Sequence, residues 1–276
     1  MRAKSFQLAV AEYKDNSVQI FDRKYQITRT ITSGISGPVH LWLDPKTAAL
    51  YVANSNAGTV TEYAKGSSSP EFTYSNGLSC PGGVTTDKSG NVYVGDFCRD
   101  VIGEYAQGTN KMFEECGTGG VSPAGLIVDS SGDLIFAEQF QIAIFANHTG
   151  AHSPLAGCDG PGSVFGGMCS VNSVVLDSSA NIIAADQGGC SYPYVPPQID
   201  IIPPPYKYIS QVWRGFSGPT GIALNFGQNR LVVADYGGST VDVLTYPGDK
   251  VVTTLGPSSG VTSPFGVAVY PSVPDN

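Results

Sequence analysis

A motif that recurs at nearly regular intervals constrains this 276-residue chain more than any other feature. Each copy has a turn residue, a small residue, alternating apolar positions ending in Asp or Asn, a tight turn, an apolar triplet and a final acidic or amide residue. Five complete copies begin at Pro38, Pro81, Pro123, Val171 and Pro219. A fixed period of several tens of residues is the signature of a repeat architecture, so the chain is predicted to consist of similar units.

A sixth copy is divided between the two ends of the chain. Residues 263–269 supply its first part, and residues 8–12 and 17–21 supply the rest. Successive copies start 43, 42, 48, 48 and 45 residues apart, which leaves room for four short strands with their turns. An open solenoid would need capping repeats, whereas here the two end segments complete one another. We therefore predict an all-β fold of one domain over residues 1–276, a six-bladed β-propeller of four-stranded antiparallel blades whose terminal strands share one blade.

The second copy shows how the strands of a blade are arranged. Strands are predicted over residues 83–86, 91–95, 101–105 and 112–115. The segments 87–90 and 106–110 between them carry the Asp, Gly and Asn residues that hairpin turns require. These turns lie on one face of the disc, which we call the turn face. The connections after the second and fourth strands lie on the opposite face, which we call the loop face.

Charge and hydropathy narrow the classes of partner. The chain has 15 basic and 23 acidic residues and a net charge of −8, so a nucleic-acid backbone or an anionic membrane surface would repel it. No run of eighteen apolar residues occurs, and strand-like sequence follows Met1 directly, so neither a membrane span nor a signal peptide is predicted. Nucleic acid and membrane insertion are therefore set aside.

The cysteines indicate the compartment. The chain has six cysteines: Cys80, Cys98, Cys116, Cys158, Cys169 and Cys190. None of them forms the paired CxxC spacing of a zinc site. An even number in predicted loops favours disulfides, and hence a secreted, periplasmic or cell-surface protein. The alternative is a cytosolic protein with six buried thiols. As a hypothesis, bonds Cys80–Cys98 and Cys169–Cys190 would each tie the start of a blade to its own second-to-third-strand loop, leaving Cys116 for Cys158.

The repeat also resembles a known family. Residues 81–96, 123–138 and 219–235 match the pattern P-x-G-hydrophobic-x-hydrophobic-D-x-x-G-N-hydrophobic-Y-V-A-D of the NHL-repeat family, and the resemblance covers nearly the whole chain. It implies a six-bladed propeller. It does not select a function, because the family includes binding modules as well as lyase-like and lactonase-like enzymes.

The second strand of every copy ends in an acidic or amide residue, and these rim residues are Glu12, Asn54, Asp96, Glu138, Asp186 and Asp235. On a closed ring they would circle the loop face. They could bind a hard cation such as Ca²⁺, or hydrogen-bond to sugar hydroxyls. Alternatively, each carboxylate accepts backbone N–H groups in the loop of its own blade. Apart from this Ca²⁺ option no cofactor is predicted.

His40 departs from the repeat, because the other copies have a smaller residue at this position: Gly83, Gly125, Ser173, Gly221 and Gly266. Its imidazole is predicted to stand near the loop-face mouth of the channel, where it could transfer protons or bind a metal, or could simply fill the gap. With a metal held by Glu12, Asp186 and Asp235 it would suit a lactonase- or lyase-type enzyme. The several axial histidines expected of an amidating lyase are absent from this sequence.

Two insertions surround the fourth copy. Residues 147–170 and 187–198 are predicted to lengthen two loop-face connections, and Tyr192 and Tyr194 lie among prolines in the second of these. The tyrosines could stack on sugars or anchor a protein, or the segment could pack on its own blade.

These observations lead to a functional prediction. We predict a binding scaffold for a glycan or protein partner, with no assigned catalytic residue. Its predicted loop-face contacts are His40, Asn54, Asp96, Glu138, Asp186, Tyr192, Tyr194 and Asp235. The alternatives are the metal-dependent enzyme and a self-assembling structural subunit.

Overall fold

The computed structural model describes residues 7–118, 122–145, 162–166, 168–190, 194–225 and 227–269. Within these residues the chain forms twenty-four strands and one short 3-10 helix, grouped in six four-stranded antiparallel sheets. The inner strands of neighbouring sheets contact one another in a closed cycle around a central axis. The predicted six-bladed β-propeller is therefore confirmed.

The strands follow one another blade by blade. The chain begins with β1 (Leu8–Glu12), β2 (Ser17–Phe21) and β3 (Ile27–Ile31). Blade 1 consists of β4 (Pro38–Leu43), β5 (Leu50–Asn54), β6 (Thr59–Tyr63) and β7 (Phe72–Tyr74). Blade 2 consists of β8 (Pro81–Thr86), β9 (Val92–Asp96), β10 (Val101–Tyr105) and β11 (Met112–Gly117). Blade 3 consists of β12 (Leu126–Val128), β13 (Leu134–Glu138), β14 (Gln141–Phe145) and β15 (Gly162–Gly166).

The remaining blades complete the ring. Blade 4 consists of β16 (Val171–Leu176), β17 (Ile182–Asp186), β18 (Gln198–Ile202) and β19 (Gln211–Trp213). Blade 5 consists of β20 (Pro219–Leu224), β21 (Arg230–Asp235), β22 (Thr240–Thr245) and β23 (Val251–Leu255). The 3-10 helix η1 (Pro257–Ser259) leads into β24 (Pro264–Val269), which is the inner strand of blade 6 in the order β24-β1-β2-β3.

The two ends of the chain close the ring as predicted. Strand β24 pairs antiparallel with β1, and Val10 lies opposite Val267. Both valines are buried in an apolar cluster shared with strands of blade 5, which includes Val232 and Val243. Burial of this cluster holds the closing blade to its neighbour, because removing apolar surface from water is favourable.

The blades turn where the sequence predicted. In blade 2 all four observed strands lie within two residues of the predicted bounds. In the turn between β8 and β9, Asp87 accepts backbone N–H bonds from Ser89 and Asn91, each at 2.8 Å. Gly90 has a φ of +92°, a conformation that L-residues with side chains rarely adopt. The Asp-x-x-Gly pattern of the repeat is therefore the chemistry of this turn.

Polar side chains join blades 1 and 2 in addition to apolar packing. The Tyr51 and Tyr74 hydroxyls each donate to the Glu62 carboxylate at 2.8 Å, and Gln107 of blade 2 donates to the same carboxylate at 3.0 Å. The buried Glu62 carboxylate is thus satisfied by two tyrosines of its own blade and is joined to blade 2 by Gln107.

One insertion lies elsewhere than predicted. Residues 146–161, which include Cys158, are outside the described residues, but they join β14 to β15, the third and fourth strands of blade 3. Third and fourth strands are joined at the turn face, so the prediction that all of residues 147–170 lengthen a loop-face connection is wrong. The second insertion, residues 187–197, joins β17 to β18 at the loop face as predicted. In the described part of the chain, no helix has the length and apolar character that crossing a membrane requires.

Candidate functional site

All six rim residues lie at the loop-face ends of the second strands, but their side chains are buried beneath the surface. Their exposed fractions are 0% for Glu12, Asn54, Asp96, Glu138 and Asp186, and 3% for Asp235. Each second strand is paired on both sides, and in five blades the segment that enters the blade lies against its end. In this structure the rim is therefore an internal layer beneath the loops.

The rim side chains hold those entering segments. Asp235 accepts backbone N–H bonds from Ser217 at 2.8 Å and Gly218 at 2.7 Å. The same contact recurs in four other blades: Asp96 with Cys80 (3.1 Å), Glu12 with Ser263 (2.6 Å), Asp186 with Cys169 (2.9 Å) and Asn54 with Ser36 (3.1 Å). Hydrogen bonds to a charged acceptor are stronger than neutral ones. These residues thus fix the loops in place, and direct contact between their side chains and a ligand stays a prediction.

In blade 3, whose entering segment is only partly described, the rim residue Glu138 has a side-chain partner. It accepts a hydrogen bond from the Gln141 side chain, and its Oε1 is buried with no partner. Burial raises the pKa of the Glu138 carboxyl, and it also raises the pKa of Glu12 and Asp186, where backbone N–H bonds partly offset the effect. Among the described residues, Glu12 Oε1 is likewise buried with no partner, so both glutamates keep one carboxylate oxygen without a hydrogen bond.

The structure does not gather the predicted metal ligands. Glu12, Asp186 and Asp235 belong to blades 6, 4 and 5. Across the residues that the structure describes, no three His, Cys, Asp or Glu side chains form a group that could hold a metal ion. A Ca²⁺ role for the rim stays a prediction.

Two disulfides reinforce the loop face. Cys80 is bonded to Cys98 with the Cα atoms 5.3 Å apart, and Cys169 is bonded to Cys190 with the Cα atoms 5.7 Å apart. Each joins the segment entering a blade to the second-to-third-strand loop of that blade, as hypothesised. Among the cysteines whose side chains are described none is free, while the Cys116 side chain and Cys158 lie outside the described residues.

Sequence reasoning missed an aromatic cluster on the loop face. Tyr13 and Tyr236 directly follow the rim residues of blades 6 and 5, and Phe265 is the second residue of β24. The Phe265 ring centroid lies 5.7 Å from that of Tyr13 and 5.4 Å from that of Tyr236. The Lys14 ammonium lies 5.5 Å from the centre of the Tyr236 ring, within cation–π distance. Aligning the copies by the residue after the rim would have shown the signal.

The aromatic surface continues around the ring. Phe97, Phe140 and Tyr194 lie in the second-to-third-strand connections of blades 2, 3 and 4, with exposed fractions of 49%, 53% and 69%. Tyr192 lies outside the described residues. We call Tyr13, Phe97, Phe140, Tyr194, Tyr236 and Phe265 the loop-face aromatic set. In the described residues, five of the six second-to-third-strand connections contribute to it.

His40 lies inside the channel, below the predicted loop-face mouth. It is 8% exposed, and its Nδ1 accepts the backbone N–H of Val84 at 3.3 Å. Burial lowers the pKa of the imidazole to about 4, so His40 is neutral near pH 7. Its side chain lines a cavity of about 210 Å³ that extends along the inner strands to Pro45 at the turn face.

Comparison with known proteins bears on the fold. No protein-family model matches the chain, and no curated protein sequence matches it. A chain from a solved structure described as the crystal structure of a nidogen/laminin complex matches with a TM-score of 0.78 and 15% identity, covering 97% of this chain and 99% of that chain. This match does not confirm the NHL repeat type. The likeness shows that this chain has the same overall propeller fold as its counterpart in that complex, and it shows the fold alone.

Proposed function

We propose that this protein is a recognition scaffold that binds a protein partner through its loop face. The observation that carries the proposal is the loop-face aromatic set, whose exposed members lie on consecutive blades of one face. Exposed aromatic surface concentrated on one side of a soluble protein is typical of interaction sites. Tyrosine and tryptophan, with arginine, also dominate the binding energy of protein interfaces.

The loops that carry the aromatic set are preorganised. Asp96 holds the N–H groups of Cys80 and Cys98, and the disulfide joins the same two residues beside Phe97. A surface that is already ordered loses little conformational entropy on binding, so more of the contact energy appears as affinity. The buried rim therefore supports recognition indirectly, by fixing the loops.

The class of partner is inferred from two facts. The first is that the matched chain comes from a structure of a complex between two proteins, nidogen and laminin. That binding belongs to the matched protein, and it supports a protein partner for this one. The half-buried rings of Tyr13, Tyr236 and Phe265, with a cation over one of them, form an apolar surface with a charged edge. Such a surface matches the apolar core and polar rim of a protein interface. A glycan that stacks on the rings is the alternative.

The disulfides support a location outside the cytosol. Cys80–Cys98 and Cys169–Cys190 would be reduced in a cytosolic thiol pool and persist in oxidising compartments. We therefore place the interaction at an extracellular or periplasmic surface. Alkylation of free thiols in protein taken directly from the producing cells, followed by mass analysis, tests this placement, and alkylated Cys80 or Cys169 would contradict it.

The experiment compares matched surface variants. Immobilised wild type, Phe97→Ser, Tyr236→Ser and Tyr208→Ser are probed with an extracellular protein fraction from the producing organism and with a glycan array. Tyr208 is the control, because it is a 58%-exposed tyrosine in the third-to-fourth-strand turn of blade 4, on the turn face. For a partner identified with wild type, the two loop-face variants should bind at least roughly 30-fold more weakly, which is the loss of about 2 kcal/mol expected of a hot-spot aromatic.

The outcomes separate the possibilities. Loss of the partner with both loop-face variants and full binding by Tyr208→Ser supports the proposal. Unchanged binding by the loop-face variants, with loss in Tyr208→Ser, would place the interface on the turn face and refute it. Binding to glycans alone, lost in the same loop-face variants, would replace the protein partner by a sugar.

A further inference from the structure

The central channel is closed at one level and open below it. At the third position of the inner strands, the small residues of five blades let the strands approach backbone to backbone. A β-carbon on Gly221 would stand 2.6 Å from the Phe265 carbonyl oxygen, and one on Gly266 would stand 2.8 Å from the Val39 carbonyl oxygen. His40 is the only large residue at this level in the repeat, and its Nε2 lies 3.3 Å from where a β-carbon on Gly125 would stand. The imidazole thus reaches across the axis toward blade 3.

A cavity of about 210 Å³ lies on the turn-face side of His40. Five of the six inner strands line it, with side chains such as Trp42, Leu176, Leu224 and Val269. Among the described residues that line it, every one except His40 is apolar. The Trp42 indole N–H is already paired with the Thr86 hydroxyl at 2.8 Å. For comparison, an engineered apolar cavity of about 150 Å³ in another protein binds benzene.

His40 supplies one unpaired donor to this apolar space. Because Nδ1 accepts the Val84 N–H and the ring is neutral, the proton is on Nε2. Within the described residues Nε2–H has no acceptor, and His40 is more than nine-tenths buried with its imidazole in the cavity wall. Its Nε2–H is thus the polar group that the cavity wall offers to a ligand, and an acceptor oxygen there would form one hydrogen bond of ordinary net strength.

We propose that this cavity is a binding site for a small neutral molecule that has an apolar body and one hydrogen-bond acceptor, such as a monocyclic aromatic or medium-chain ketone. The apolar body packs against the inner strands, and the acceptor oxygen receives the His40 Nε2–H bond. A carboxylate is excluded, because burying an isolated charge in an apolar cavity is far more costly than one hydrogen bond repays. This site is on the opposite side of the disc from the loop-face aromatic set.

The test uses three probes of nearly equal shape: acetophenone, α-methylstyrene and benzoate. The first has the acceptor, the second replaces it by a methylene group, and the third carries a charge. Binding is measured by calorimetry, and the His40 imidazole is followed by NMR in protein labelled with ¹⁵N-histidine. The chain has three histidines, so the His40 signal is assigned by its loss in His40→Phe. The control Tyr236→Ser changes the loop face only.

Acetophenone is expected to bind roughly 3- to 10-fold more tightly than α-methylstyrene, the usual net effect of one hydrogen bond, and to shift the His40 Nε2–H resonance. Benzoate should not bind, and Tyr236→Ser should retain the acetophenone affinity. His40→Phe should bind acetophenone and α-methylstyrene equally. If that variant does not fold, the comparison of the two probes on wild type still decides. Equal binding of the two by wild type, no binding of either, or an unmoved His40 resonance would each overturn the proposal.

Discussion

Asp200 in β18 is a buried carboxyl whose ionisation should govern how stability depends on pH. Its side chain is 0% exposed, and Oδ1 accepts one hydrogen bond from Gln198 Nε2 at 2.8 Å, while Oδ2 is buried with no partner. Burial raises the pKa of Asp200 from 3.8 to about 7, and the nearby Asp186 adds to the rise while Gln198 and Arg214 oppose it. In the folded protein this carboxyl is therefore about half ionised near neutral pH.

The size and sign of the effect follow from linkage. Because the folded pKa lies above the unfolded one, the stabilisation is fully present below about pH 4 and is lost as pH rises through about 7. A difference of roughly 3 pKa units corresponds to about 4 kcal/mol. The Asp200→Asn variant keeps the oxygen that accepts from Gln198 but cannot ionise. It should match wild type near pH 4 and exceed its stability by about 4 kcal/mol near pH 8.

Guanidinium unfolding followed by tryptophan fluorescence provides the assay, since Trp213 is buried on the neighbouring strand β19. Wild type, Asp200→Asn and the control Asp249→Asn are compared at about pH 4 and about pH 8. Asp249 is an exposed acidic residue in a turn, so its substitution removes a charge without changing a buried group. A stability difference between wild type and Asp200→Asn that is the same at both pH values would refute the reasoning.

Three further predictions concern the rim residue Asp235, a disulfide and His40. Asp235→Ala should lower the free energy of unfolding by roughly 3–6 kcal/mol in chemical denaturation, because the N–H groups of Ser217 and Gly218 lose a charged acceptor. Replacing Cys80 and Cys98 together by serine should cost about 3 kcal/mol in the same assay, given their sequence separation of 18. The folded pKa of His40, about 4, is below its ordinary 6.5, so its stabilisation is present above pH 6.5 and falls by about 3 kcal/mol as the pH drops to 4. An NMR titration should show His40 neutral at about pH 5.

Each of these has an outcome that contradicts it. An Asp235→Ala variant as stable as wild type would mean that water replaces the Asp235 carboxylate as the acceptor for the Ser217 and Gly218 N–H groups. An unchanged midpoint after removal of the Cys80–Cys98 bond would mean that the reduced chain is already constrained there. A His40 resonance that titrates near pH 6.5 would show that the imidazole is solvated, and would remove the basis for the channel site.

Much of the fold could be read from local pattern. Turn residues and strand alternation act over a few positions, so the strands of blade 2 were predicted within two residues. The weakest prediction was in blade 3, where β15 has the sequence Gly-Ser-Val-Phe-Gly and little alternation to reveal it. The insertion before this strand was therefore assigned to the wrong face of the disc.

The sequence by itself determined the repeat and the closure of the ring by its two ends. These follow from spacing, because strands and turns have characteristic lengths. The tertiary structure alone decided which groups are exposed. It buried the rim residues against incoming loops and brought Tyr13 beside Tyr236 and Phe265 across the closed ring. It also placed the His40 side chain in the wall of an apolar cavity. Burial depends on neighbouring blades that are distant along the chain, so no local pattern contains it.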